Sequence, residues 1–286
     1  MIFIHYAPNG MRRAADLSDI FYDRTAILVG GAPSLKEQPI ELMEKRGVIT
    51  MAMNNSAVHF QPTLWVSGDN PHCYDNTILQ DPKIMKFGSA SHSKIKLNNK
   101  YYYQMPNMFF YIPEANIPWD EFLAQRANVP WYHNTLFVGI NILYMLGVRR
   151  IILAGSDFGA GKNGAMYAHK TTLGSMEKKW NQDLYNSLVR ELRMLKPLFK
   201  QANLTLLDAS KNSRLTHAYE HITLEKAVAL CLEDFPASFA DSTKLPHCSK
   251  FAPIAIQKKI AAWPGYSVIG KPTVTENKET TMKKII

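Results

Sequence analysis

The chain has 286 residues, of which 46% are hydrophobic and 20% charged, with a formal net charge of +9 at pH 7. This length and composition exclude a disordered or fibrous chain; they call for one large α/β domain, or one domain with an appendage. No apolar run nears the roughly 18 residues that span a bilayer, and three scattered cysteines, Cys73, Cys231 and Cys248, exclude a disulfide framework and a structural zinc site.

The opening Met-Ile-Phe-Ile-His has no basic region followed by an apolar core, so no secretory leader is expected. Free cysteines point to a reducing cytoplasm. The positive charge favours a polyanionic partner: a nucleotide first, then a nucleic acid or an acidic membrane.

In chain order, residues 1–24 read as a leading arm with one short strand at Ile2–Ile4. Ala26-Ile27-Leu28-Val29 is an unbroken apolar run that suits a strand buried on both faces. It ends in Gly30-Gly31, a sharp turn that lets another group approach closely, and Pro33-Ser34 then opens a helical turn. Ile40 to Arg46 reads as a short helix. Val48–Met53, Thr63–Ser67 and Lys83–Phe87 are further strands, the first two ending at Asn54-Asn55 and Gly68-Asp69-Asn70. Strands joined by helical links predict a parallel βαβ sheet.

Residues 89–130 read as an insertion, a hairpin and a short helix near Trp119–Gln125. There Lys94, Lys96 and Lys100 precede Tyr101–Tyr103 and Phe109–Tyr111, which suits either a hairpin core with a solvated lysine face or stacking on nucleic acid. A helix over 134–146 leads into the strand Ile151–Ala154, which ends at Gly155-Ser156-Asp157. Leu173, Met176, Trp180, Leu184, Leu188, Leu192, Leu195 and Leu198 draw one apolar stripe along a long helix and predict core along its whole length. Pro197 is expected to kink or end it. Leu204–Leu207 is a last strand, and Thr223 caps a last helix to Glu233. Residues 236–286 read as a proline-punctuated arm that docks on the body or on another subunit, a homo-oligomer being one arrangement it allows.

The fold expected is thus α/β, Rossmann-like, with a mostly parallel sheet flanked by helices over residues 25–235. In open α/β sheets ligands gather at the carboxyl ends of strands. Those ends carry Gly30, Gly31, Ser34, Asn54, Asn55, Asp69, Asn70, Asp157, Asp208 and Ser210, small, amide and acidic groups suited to phosphate, ribose and base. His169, beside Tyr167 after a glycine-rich loop, is the leading acid–base candidate. His133 competes with it, and His59, His72, His92, His217 and His221 have less context. Asp69 and Asp157 are the carboxylates within reach of a Mg²⁺–diphosphate. Two carboxylates fall short of a metal site, so no metal and no cofactor is assigned.

The segments GGAPSLKE, Asn54-Asn55, NTLFVGINILYMLGVRRIILAGSDFG and MYAH resemble the bacterial CMP-sialic-acid-dependent sialyltransferases of the Campylobacter lipooligosaccharide type. The outline is also similar to 6-hydroxymethylpterin diphosphokinase-like proteins. The likeness covers roughly residues 25–70 and 134–230. It implies that Ser34 and the backbone of Gly30, Gly31 and Ala32 line donor phosphates, and that Asn54 contacts the nucleotide. Thr135 stands where the family has a donor-binding serine, and Tyr167 matches a tyrosine that helps the leaving phosphate. Gly31 replaces the family's asparagine and Gly159 a tyrosine, and His169 substitutes for a base that the family carries further along.

The function expected is a metal-independent glycosyltransferase. It would move a sugar from a nucleotide-activated donor to a hydroxyl of a glycan or of a hydroxylated DNA base. A metal-dependent pyrophosphokinase and a non-catalytic nucleotide- or nucleic-acid-binding protein are the alternatives.

Overall fold

The computed structural model describes residues 2–7, 9–123, 128–132, 134–161, 164–168 and 173–234. The chain opens with a hairpin, β1 (Ile2–Tyr6) and β2 (Arg12–Asp16), and continues through β3 (Thr25–Val29), β4 (Ile49–Met53) and β5 (Leu64–Ser67). A one-turn helix α1 (Asn76–Gln80) leads to β6 (Met85–Ser89). A small hairpin β7 (Lys96–Leu97) and β8 (Lys100–Tyr101) precedes β9 (Met108–Glu114) and β10 (Asn128–Pro130). The rest alternates: α2 (Thr135–Met145), β11 (Arg150–Ala154), α3 (Ser175–Gln201), β12 (Thr205–Asp208) and α4 (Leu224–Glu233).

The main sheet runs β12-β11-β3-β4-β5-β6-β9-β1-β2, with β10 also paired to β9. Every pairing from β12 to β9 is parallel; only β1 runs antiparallel, to β9 and to β2. Strand β3 shows why these runs are apolar at every position. Ala26 and Leu28 pack with α2 and α3 on one face, while Ile27 and Val29 pack with α4 on the other. Both faces are covered, so neither parity of the strand is polar.

Four expectations change. The first residues are not an arm: their hairpin extends the sheet, Ile4 opposite Phe110. The 89–130 stretch is only partly an insertion, because β9 is an interior strand between β6 and β1. Its aromatics Phe109, Phe110 and Tyr111 are at most 1% exposed, as is Tyr102. Those four rings cannot stack on bases, whereas Tyr101, 43% exposed, and the half-buried Tyr103 remain at the surface beside the exposed Lys96 and Lys100. The Ile40–Arg46 and Trp119–Gln125 helices shrink to single 3-10 turns, Ile40–Glu44 and Trp119–Glu121. Helix α3 continues past Pro197 to Gln201. The C-terminal arm of residues 236–286, and Cys248 with it, lies outside the described residues. No described helix is long and apolar enough to cross a membrane.

Candidate active site

The strand order reverses at β3. The chain steps outward through β4, β5, β6 and β9, then returns to set β11 and β12 on the other side of β3. The chain goes on from β3 to β4 on one side and from β11 to β12 on the other, and such a switch point opens a crevice at the carboxyl edge. A cavity of about 690 Å³ lies there, within the roughly 300–1,000 Å³ of small-molecule sites.

Its floor is a suture between two turns. A Cβ at Gly30 would stand 2.5 Å from the Gly155 carbonyl oxygen, and Gly155 itself has φ +57°. Only glycine at both positions allows that backbone-to-backbone approach. The Gly30 N–H donates to Ala154 O (2.8 Å) and the Ala32 N–H to Gly155 O (2.9 Å). Those two N–H groups are thus taken by carbonyls, while all three residues of the turn line the cavity. The Gly31 carbonyl accepts from Ala168 N–H at 2.7 Å, which ties the Met166–Ala168 segment to the turn and sets Tyr167 on the cavity wall.

Ser34 is fully buried and does not line the cavity. Its N–H donates to Asp157 Oδ2 at 3.1 Å and its hydroxyl donates to Asp157 Oδ1. A buried carboxylate needs donors, and Ser34 supplies them instead of facing a donor phosphate. Asp157, 3% exposed, does reach the wall. Burial raises its carboxyl above the usual carboxylate range, and the two Ser34 bonds oppose that shift.

At the end of β4, Asn54 has φ +52°, the left-handed region that asparagine tolerates. Its carbonyl accepts from Trp65 Nε1 at 2.8 Å. Its Oδ1 accepts from the Tyr74 hydroxyl at 3.1 Å and from Thr135 Oγ1 at 3.4 Å. Tyr74 also donates to Asp69 Oδ2 at 3.0 Å and receives a bond from Ser67 Oγ. Burial pushes the Tyr74 phenol far up, so it acts as a neutral hydrogen-bonding group.

The remaining walls come from helices. The α2 N-terminus, capped by the Asn134 side chain accepting from Leu136 N–H (2.8 Å), opens on the cavity through Asn134, Thr135 and Leu136. Its dipole presents positive potential there. One face of α3 adds Asn181, Leu184, Tyr185 and Leu188. Tyr185, whose phenol burial pushes up, hydrogen-bonds Tyr167. No described residue lining the cavity is Lys, Arg or His. Among the described residues, no group of three or more His, Cys, Asp or Glu is placed to hold a metal.

The structure thus brings Gly30, Gly31, Ala32, Asn54, Asn55, Asp69, Thr135, Asp157 and Tyr167 to one cavity. His169 and His133 lie outside the described residues. Sequence reasoning missed Tyr74, Trp131 and Tyr185, for which no motif gives a signal. Asn181, which follows Trp180 beside the apolar stripe of α3, was missed as well.

No family model matches the chain, and no curated protein matches it significantly. Among solved structures it is similar to the MAf glycosyltransferase from Magnetospirillum magneticum AMB-1, with a TM-score of 0.42 and 12% identity over 74% of this chain and 37% of that one. It is also similar to a mammalian sialyltransferase (TM-score 0.36, 11% identity, 67% of this chain and 70% of that one). A mammalian sialyltransferase in complex with Gal-beta-1-3GalNAc-ortho-nitrophenol gives a TM-score of 0.38 at 11% identity, over the same shares. The chain spans little more than a third of the first of these. The expected relation to pterin diphosphokinase-like proteins finds no support among them. At such identities and TM-scores the likeness carries no argument about activity, and any functional reading rests on the cavity.

Proposed function

We propose that the protein is a glycosyltransferase using a nucleotide-activated sugar. The observation that carries this reading is convergence: strand-end residues from β3, β4, β5 and β11, together with the α2 N-terminus, line one cavity large enough for a sugar nucleotide. The donor would lie across the switch point. The α2 dipole and Tyr167 would steady the charge that develops on the departing phosphate, and the Asn54 amide, held by Tyr74 and Thr135, would orient the donor. A glycan is the acceptor this reading favours, since four of the six aromatics that suggested nucleic acid are buried.

Cys73 provides a test independent of turnover. It is an exposed free cysteine on the cavity wall. Full-length protein is treated with iodoacetamide in the presence of CMP-, UDP-, GDP- or ADP-sugars, or ATP with Mg²⁺, and Cys73 alkylation is followed by peptide mass spectrometry. One sugar nucleotide is expected to slow alkylation about tenfold or more, as it would at roughly ten times its Kd. Protection by ATP–Mg²⁺ alone would move the assignment to a pyrophosphokinase, and no protection by any of them would remove the reading.

A further inference from the structure

Within the transferase reading, on which this inference rests, the cavity still needs a group that accepts the proton of the attacking hydroxyl. Two described carboxylates line it, Asp69 and Asp157. Both oxygens of Asp157 are taken by Ser34. Asp69 is different. It is exposed on the wall, its Oδ2 accepts from Tyr74, and its N–H is held by Ser67 Oγ at 3.2 Å. Oδ1 accepts from no described residue.

The neighbour of this carboxylate is an indole. Trp131 lines the same end of the cavity, and a Cβ on Gly68 would stand 2.1 Å from the Trp131 ring and 3.1 Å from the Tyr111 hydroxyl. Glycine at position 68 is what lets the indole approach the end of β5, beside Asp69. An aromatic face next to an anchored carboxylate is the pairing that binds a ring bearing hydroxyls: the ring packs its apolar face on the indole, and a hydroxyl donates to the carboxylate.

We infer that the β5 end of the cavity is the acceptor subsite, that Trp131 carries an acceptor sugar ring, and that Asp69 is the catalytic base. The acceptor oxygen forms a bond to the anomeric carbon of the donor. The bond from that carbon to the phosphate oxygen breaks, and its electron pair leaves on the nucleotide phosphate. The hydroxyl proton passes to Asp69 Oδ1, and from there to solvent. Tyr74 is a positioning residue: its single proton is shared between Asp69 and Asn54, so one phenol sets both the base and the donor-facing amide.

The test uses full-length protein, the sugar nucleotide that protects Cys73, and a panel of p-nitrophenyl glycosides. Asp69→Asn is expected to lower kcat for transfer by 10²-fold or more while donor protection of Cys73 stays within twofold of wild type, which also shows that the variant is folded. With Asp69→Ala, sodium azide, a nucleophile with no proton to lose, is expected to restore donor consumption and yield the glycosyl azide. Gly68→Ala should raise the acceptor KM about tenfold and leave donor protection unchanged. Transfer by Asp69→Asn within fivefold of wild type overturns the inference. So does loss of donor protection in that variant, or azide rescue confined to His169→Ala. In each of those cases wild-type turnover still supports the transferase. A wild-type protein that neither binds nor consumes any sugar nucleotide overturns both.

Discussion

Lys86 is fully buried in β6, and its ammonium donates to three backbone carbonyls: Asp81 O at 2.6 Å, Ile84 O at 2.9 Å and Pro106 O at 2.7 Å. Those carbonyls belong to the turn before β6 and the turn before β9, so one side chain ties two turns at the amino edge of the sheet. A methionine of similar length would fill the space but leave the carbonyls without a donor, and unsatisfied buried polar groups cost about 1–3 kcal/mol each. Lys86→Met is expected to lose about 2–4 kcal/mol, seen as a drop of roughly 5–12 °C in Tm, whereas Lys83→Met, on the exposed turn, should move Tm by less than about 2 °C. Equal Tm values for the two variants would show that the clasp is dispensable. Nothing in the one-dimensional pattern marks this residue. Lys86 breaks an apolar run where a strand is expected, and its partners are carbonyls whose positions only the fold supplies. Ser34 is a similar case: the motif identified a serine beside the glycine turn, but only the folded chain shows its hydroxyl spent on Asp157, 123 positions away.

The long helix shows what periodicity conveys and what it omits. The stripe in α3 is real, yet only its second half is core. Leu188, Leu192 and Leu195 are at most 3% exposed, while Met176 and Trp180, on the same spacing, are 74% and 73% exposed. Length explains the difference. A helix of 27 residues runs about 40 Å, and strands of four or five residues such as β11 and β12 cover roughly 15 Å. The sheet ends before the helix does, and the stripe continues past the cavity mouth into solvent. Period reports which residues share a face and is silent on what that face meets. The β strands were legible for the opposite reason: a run apolar at both parities requires cover on both sides, so β3, β4, β5 and β11 were placed within a residue or two. Strand β9 is hard to place from sequence because its aromatics follow lysines, two of which, Lys96 and Lys100, belong to the small β7–β8 hairpin. The energetic consequence is direct. Leu192→Ala should cost about 2–5 kcal/mol, and Trp180→Ala should stay within about 0.5 kcal/mol of wild type. Chemical denaturation of both variants measures this, and a Trp180→Ala loss as large as that of Leu192→Ala would mean that the front of α3 is covered in the folded protein.

On the scale of the whole molecule, the sheet has two unlike edges. The carboxyl edge gathers the turns, the amides and two buried acids in neighbouring strand ends, Asp157 after β11 and Asp208 closing β12. Burial raises the carboxyls of both, and Asp208 adds to the shift of Asp157. Asp208 accepts from Ser210 N–H at 3.0 Å through Oδ1, and its serine neighbours hold the shift back. Its Oδ2 makes no hydrogen bond to a described residue and lies 3.6 Å from His221 Nδ1. An acid whose folded pKa lies above its unfolded value binds its proton more tightly when folded, so its contribution to stability falls as pH rises from about the unfolded value, near 4, through the folded one. Asp208→Asn keeps the Oδ1 acceptor and removes the charge that burial disfavours. The variant is therefore expected to match wild type near pH 4 and to gain in Tm relative to it as pH rises towards neutrality, with Ser210 still held. Thermal unfolding of both proteins between pH 4 and 8 tests this. A Tm difference that stays constant, or that turns against the variant as pH rises, would show that His221 compensates the buried carboxylate fully. The edge that carries the cavity would then be free of the electrostatic strain that its buried acids imply, and the molecule would have gathered its polar groups at the switch point without loss of stability.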